Sequence, residues 1–475
     1  MMRKNISFHR LLALILCVLV TVAMPFSVSA EGDSLWTDDD VRATDYEMRD
    51  DVNKVIQIST PEQLGLLAYE VNNGESFEGY TIILTNDIDL SKHLWEPIGK
   101  HTVSYVPNNT DHRFKGTFDG KNHVISGMTI VETSASRAIG FGLFGFIEDA
   151  TVKNVCLKDS SISVSGTSTK TIYAGALVGS SFYECSISNC FVENVQVQVS
   201  GSSTVAAAGL IGFVYDRGSV KNCAVSGVQV TGETNNWNYL GGMMGYANAY
   251  FLEAQNCYAT EISIEMKGTP YQEGKGLITG SSNGGTYVNC YAEGDLPMYQ
   301  ASAYNPSMTD SSLVKGNKLE QPVQVNGKEY TELDSALNAW VAQNGAEDYN
   351  DWFFHGGVIR QEGIYTITHQ WESDYTVDQE PTCVTPGRKS IHCSDCTAVK
   401  DVQEIPATGK HSWSEWVQED GKEVRTCSVC GETETRALAV SPETGDHAVD
   451  LWVGITAAAL LAGSVFLFRR NRCGQ

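Results

Sequence analysis

Two pairs of cysteines near the C-terminal end carry the chain's clearest capacity for chemistry. Cys393-Ser-Asp-Cys396 and Cys427-Ser-Val-Cys430 share one spacing, and four thiolates at zinc-knuckle spacing can complete a tetrahedral zinc site. Both pairs lie in short segments about 42 residues apart, counted from His369 to His411. Units this small hold little core and need a staple. Zinc on Cys393, Cys396, Cys427 and Cys430 is the leading expectation, with disulfides and free thiols as alternatives. Cys383 stands alone. His369 and His411 are conceivable ligands, yet each has a Trp two residues on, which reads more simply as surface packing.

A second chemistry would need carboxylates. Asp87, Asp89 and Asp119 could meet near the first coil of the repeat described below, as the paired acids of glycan-cleaving enzymes do. An Asp in a turn more often caps backbone N–H groups. The chain reads as having no zinc-protease His-Glu-x-x-His among its ten histidines, no Ser-hydrolase motif, no P-loop and no dinucleotide fingerprint. It is therefore expected not to be an enzyme.

Charge narrows the partners. The 475 residues hold 33 Lys+Arg against 57 Asp+Glu, a formal charge of −24. Nucleic acid needs clustered Lys and Arg and is excluded as a partner on this ground. Cationic partners or calcium stay open. The length suggests two to four domains, and 42% apolar residues suffice for at least one large core.

The ends of the chain specify an address. Arg3, Lys4 and Arg10 precede an apolar run from Leu11 to Val22 and then Ser27-Val28-Ser29-Ala30. This is the layout of a secretory signal cleaved between Ala30 and Glu31, and the run is too short for a ~20-residue membrane span. At the other end, Ser441-Pro442-Glu443-Thr444-Gly445 is followed by an apolar stretch, Leu451 to Phe468, and by Arg469, Arg470 and Arg472. That order resembles a Gram-positive sortase sorting signal, in a variant whose first residue is Ser441 rather than Leu. The resemblance implies that a sortase cleaves between Thr444 and Gly445 within the Pro442 motif. Thr444 is then joined to cell-wall peptidoglycan, with 451–468 in transient membrane contact. Removal of both ends takes six basic and two acidic residues, leaving 27 against 55, or −28.

Between the ends lies a repeat. Glycine-flanked apolar segments begin at Gly142, Gly175, Gly209, Gly242 and Gly276, 33 or 34 residues apart. Asn-Cys steps follow the same period at Asn189-Cys190, Asn222-Cys223, Asn256-Cys257 and Asn289-Cys290, with Asn154-Val-Cys156 before them. Strict alternation after these steps, as in Val195-Gln-Val-Gln-Val199, is the period of a strand and not of a helical array. The pattern predicts an all-β, right-handed parallel β-helix of about five or six coils with small capping helices, followed by small Cys-containing modules. Cysteines one coil apart would form an interior column and the Asn side chains a hydrogen-bonded one. Cys185 is off this phase and reads as a possible free thiol.

This block resembles the GLUG-repeat region of bacterial surface proteins and some immunoglobulin A1 peptidases, over residues 55 to about 365. The Cys segments resemble short modules near the anchors of clostridial surface proteins. The expected organisation is a signal at 1–30, an acidic flexible leader at 31–53, a lead-in at 54–124, GLUG-type repeats at 125–304 and a C-terminal cap at 305–368. Cys modules follow at 369–410 and 411–436, then a linker and sorting motif at 437–446 and an apolar segment and positive tail at 447–475. In the lead-in, Thr60, Pro61 and Gln63 mark a helix start with a capping-box spacing. The resemblance implies a wall-anchored, non-enzymatic adhesin-like or display protein that binds a host glycan or protein. An anchored glycan-active β-helix enzyme is the alternative.

Overall fold

The computed structural model describes residues 34–438 apart from 103–110, 134–138, 167–170, 302–305, 346–347, 356–357, 365–369 and 395–398. The cleavage residues Ala30 and Glu31, the sorting residues Pro442, Thr444 and Gly445, the apolar segment 451–468, His369 and Cys396 therefore lie outside the described residues. Among the described residues no helix is long and apolar enough to cross a membrane. Two compact units result, residues 1–375 with 391–400, and residues 376–390 with 401–475.

The first unit is a parallel β-solenoid of about six turns. Along one face, Thr117–Asp119 pairs in parallel with Thr151–Lys153, which pairs with Cys185–Ser188 and so on coil by coil. A second face stacks Val124–Ser126, Cys156–Gly166 and Phe191–Gly201, and a third stacks Ile172–Gly175, Val205–Ala208 and Trp237–Gly241. The repeated glycines mark where the faces meet. A Cβ added to Gly242 would stand 2.1 Å from the Leu277 carbonyl oxygen, and one on Gly212 would stand 2.5 Å from the Ala174 nitrogen. Backbone touches backbone there, so no larger residue fits.

The side-chain columns form as expected. Cys190, Cys223, Cys257 and Cys290 are buried and give their thiol protons to the carbonyls of Ser188, Lys221, Gln255 and Val288. Cys156 is out of this column: the extra residue in Asn154-Val155-Cys156 puts Val155 in the core and turns Cys156 to the outer cluster with Phe191, Ala224 and Tyr258. Cys185 is buried, and burial pushes its thiol above the usual range. The solenoid cysteines are unpaired thiols, not disulfides.

The asparagine column is continuous. Asn289 donates to Asn256 (2.5 Å), Asn256 to Asn222 (2.6 Å), Asn222 to Asn189 (2.9 Å), Asn189 to Asn154 (2.9 Å), and Asn154 to the Asp119 carboxylate (2.8 Å). All five Asn residues adopt φ between 52° and 56°. Asn tolerates this left-handed turn better than other non-glycine residues, and its amide offers a donor upward and an acceptor downward.

Two expectations need correcting. The leader is not flexible from Ser34 onward: Trp36 is buried and donates its indole N–H to the Leu90 carbonyl at 3.0 Å, Tyr46 is buried, and Met48–Asp50 pairs antiparallel with Val55–Ile58. Acidic composition concealed these aromatic anchors. The segment after the repeats also does more than close an end. Lys318–Val325 and Lys328–Glu332 extend the second face as antiparallel strands. The chain then turns back along the flank through a helix, Leu333–Asn344, and docks on the asparagine column. Trp352 donates its indole N–H to Asn222 Oδ1 at 2.6 Å, and Asn222 donates to the Asn350 carbonyl at 2.8 Å. The helix predicted at Thr60 spans Pro61–Asn72. Thr60 accepts from the Gln63 N–H at 3.3 Å, while Gln63 reaches back to the Ser59 N–H at 2.8 Å.

Candidate metal centre

The second unit has little core. Its strands Thr376–Gln379, Val417–Glu419 and Thr433–Ala437 are exposed along their whole length. Asp420 and Gly421, both at positive φ, turn Val417–Glu419 into Lys422–Thr426, an Asp-Gly hairpin of the expected type. The strand Lys422–Thr426 then delivers Cys427 into a tight knuckle. The Gly431 N–H bonds the Cys427 carbonyl at 2.9 Å, the Cys427 N–H bonds the Glu432 carbonyl at 2.8 Å, and Gly431 takes φ 74° to return the chain.

Two distant segments complete the site. The Gly409 N–H bonds the Cys383 carbonyl at 3.0 Å and the Thr408 N–H bonds the Thr382 carbonyl at 2.8 Å, so Cys383 lies beside the extended segment that leads into His411. Trp413 bridges to Cys427 across the sheet. One donor atom from each of Cys383, His411, Cys427 and Cys430 lies within 4.8 Å of the others.

Geometry tests the fit. Tetrahedral zinc with Zn–S of about 2.3 Å and Zn–N of about 2.0–2.1 Å requires S···S separations near 3.8 Å and S···N separations near 3.5 Å. Cys383 Sγ and Cys427 Sγ are 3.8 Å apart, and Cys430 Sγ and His411 Nδ1 are 3.4 Å apart. A disulfide would need about 2.05 Å. His411 Nε2 faces Glu432 at 3.4 Å, the carboxylate partner that commonly orients a ligating imidazole. Burial opposes ionisation of Cys427, but the N–H groups of Cys430 and Val429 and the His411 side chain outweigh it and hold the thiol at about 6. Cys383 is pushed to about 11 by burial and by its sulfur neighbours. The lowered Cys427 thiol supplies a thiolate that a cation would complete.

The group overlaps the expected ligand set in part. Cys427 and Cys430 are present as predicted, but Cys393 belongs to the first unit, where its backbone bridges Trp371, and Cys396 lies outside the described residues. Cys383 and His411 join Cys427 and Cys430 in the group. His411 does stack on Trp413, at 4.9 Å between ring centroids, so packing and ligation coexist. Cys383 and His411 are 28 residues apart with two strands between them, so no local spacing signalled the pairing.

The carboxylates do not converge as a catalytic pair. Asp87 accepts from the Val124 N–H, Asp89 accepts from the Ser91 N–H, and Asp119 ends the asparagine column. Gly280-Ser-Ser282-Asn-Gly284 does match the spacing of a nucleophile elbow, and Gly140-Phe-Gly142-Leu-Phe-Gly145 that of a dinucleotide fingerprint, contrary to the reading above. Neither opens a helix: both span solenoid strands and the bends beside them. The Ser282 hydroxyl is buried, donating to the Gly284 carbonyl at 2.7 Å.

The chain matches no family model and no curated protein. Among solved structures it is similar to a Bacteroides ovatus protein provisionally described as an immunoglobulin A1 protease, at 18% identity and a TM-score of 0.43, over 65% of this chain and 92% of that one.

Proposed function

We propose that this is an exported, non-enzymatic surface protein of a Gram-positive bacterium, in which a GLUG-type β-solenoid is displayed on zinc-stapled modules and joined to peptidoglycan by a sortase through Thr444. The Cys383–His411–Cys427–Cys430 group carries the reading. A unit with exposed strands and almost no core stands directly before the sorting motif, so a metal staple there would make a folded stalk between the solenoid and the wall. The secretory signal, the Pro442–Gly445 motif and the arginine-tailed apolar segment supply the address. Each of Asp87, Asp89 and Asp119 is engaged with backbone or column groups, which favours display over glycan cleavage.

Cell fractionation tests this. The chain is expected in the mutanolysin-released wall fraction, and Thr444→Ala should shift it to the membrane and medium while leaving the solenoid folded. Equal wall retention of the variant would refute sortase attachment.

A further inference from the structure

The returning strap does not lie flush against the solenoid. Where residues 348–351 cross the start of the asparagine column, they leave a cavity of about 490 Å³, within the ~300–1,000 Å³ range of small-molecule sites. Its floor is the solenoid corner at Asp119 and Asn154, and its wall is the strap at Asp348, Tyr349, Asp351 and Glu362. The cavity is preformed because the strap is pinned on both sides. Asn189 donates to the Asp348 carbonyl at 2.8 Å, the Asn350 N–H bonds Asn189 Oδ1 at 3.2 Å, and the Asn350 amide reaches Asn122 at 3.1 Å.

The lining selects a ligand class. Asp119 is almost fully buried, and its carboxylate holds Lys121 at 3.1 Å and Lys153 at 3.7 Å, which consumes the cavity's two ammonium groups. Asp348, Asp351 and Glu362 line the wall with no cation paired to them among the described residues, so the lining carries four carboxylates against two ammoniums. Anionic ligands are repelled. Carboxylate and amide oxygens in this arrangement accept from vicinal hydroxyls. Tyr349, half-buried and braced edge-on against Trp340 at 4.9 Å, offers an aromatic face for the C–H side of a sugar ring. A free divalent cation is disfavoured, since these carboxylates do not gather closely enough to form a ligand group.

We propose that this cavity binds an uncharged or amino-substituted saccharide and discriminates against acidic ones. The site goes beyond wall attachment and does not depend on it, because binding is measured on the purified chain. Saturation-transfer NMR and calorimetry on the full exported chain would use oligosaccharides of glucose, galactose, N-acetylglucosamine and glucosamine, alongside sialylated and uronic acid counterparts. Neutral or amino sugars should bind, with acidic ones weaker by about tenfold or more. Tyr349→Ala and Glu362→Gln should each weaken binding by about tenfold. Tyr271→Ala, at an exposed tyrosine that does not line the cavity, should leave it unchanged. Glu362 is exposed, so its variant tests the site without risk to the fold. No binding at about 10 mM sugar, a preference for acidic sugars, or affinity unchanged in both site variants would overturn the proposal.

Discussion

Replacing Asn222 with Ala should produce one of the largest single-residue losses of stability available in this molecule. Its side chain makes four hydrogen bonds: it donates to Asn189 and to the Asn350 carbonyl, and accepts from Asn256 and Trp352. Truncation leaves the Asn350 carbonyl, the Asn256 amide and the Trp352 indole without these partners, while Asn189 Oδ1 keeps the Asn350 N–H. Three orphaned buried groups cost ~1–2 kcal/mol each, and holding Ala at φ 55° adds ~1 kcal/mol, for a total of about 4–7 kcal/mol. Asn222→Gly should recover only the backbone part, about 1 kcal/mol. Asn154→Ala, half-buried near the end of the column, shares the ~1 kcal/mol backbone penalty at φ 56° but loses only about 1–2 kcal/mol of bonding, for a total of about 2–3 kcal/mol. Because solenoid coils can open separately, hydrogen exchange across 349–361 is the more direct assay, supported by urea melts. The strap should exchange orders of magnitude faster in Asn222→Ala while the N-terminal coils stay protected. Losses for Asn222→Ala and Asn154→Ala within about 1 kcal/mol of each other would refute the view that the column and strap act as one network.

Three further outcomes are expected. Asp119 is penalised by burial, but bonds from Asn154 and from the Lys121 N–H and ammonium hold its carboxyl below the ordinary value of 3.8. Its stabilisation is therefore complete above that value and lost as pH falls through the lower folded one. Acid melts of Asp119→Asn should lack this component. The purified chain should carry zinc in the second unit, and Cys427→Ser or a strong chelator should unfold 376–390 and 401–437, read by limited proteolysis, while the solenoid's circular dichroism persists; an unchanged proteolytic pattern would count against the staple. In native labelling with iodoacetamide, Cys156, Cys185, Cys190, Cys223, Cys257 and Cys290 should all stay unmodified and react only in denaturant, since all are buried; rapid native modification of any would contradict the interior placement.

The solenoid was legible in the sequence because its information is local and repeated. Each coil restates the same constraints: a glycine where backbones touch, an Asn where the chain turns left-handed, and a small apolar residue beneath it. Single departures from the pattern were less legible. One inserted residue, Val155, moves Cys156 from the coil interior to the second buried cluster outside it, a shift that a two-residue side-chain period enforces. The leader looked mobile because composition averages over Trp36 and Tyr46, whose burial depends on the groove they meet.

The sequence by itself determined the repeat, its period, the columns of Asn and Cys, and the capacity of the Cys segments to hold metal. Tertiary structure decided which donors meet. Cys383 joins Cys427 across 44 residues because Gly409 binds its backbone, and the strap meets the column because Trp352 reaches Asn222 across 130. Such pairings depend on where separate segments are laid side by side, and no spacing within a single segment encodes that. The cavity at Asp119 is likewise a gap between two elements, present only once both are in place.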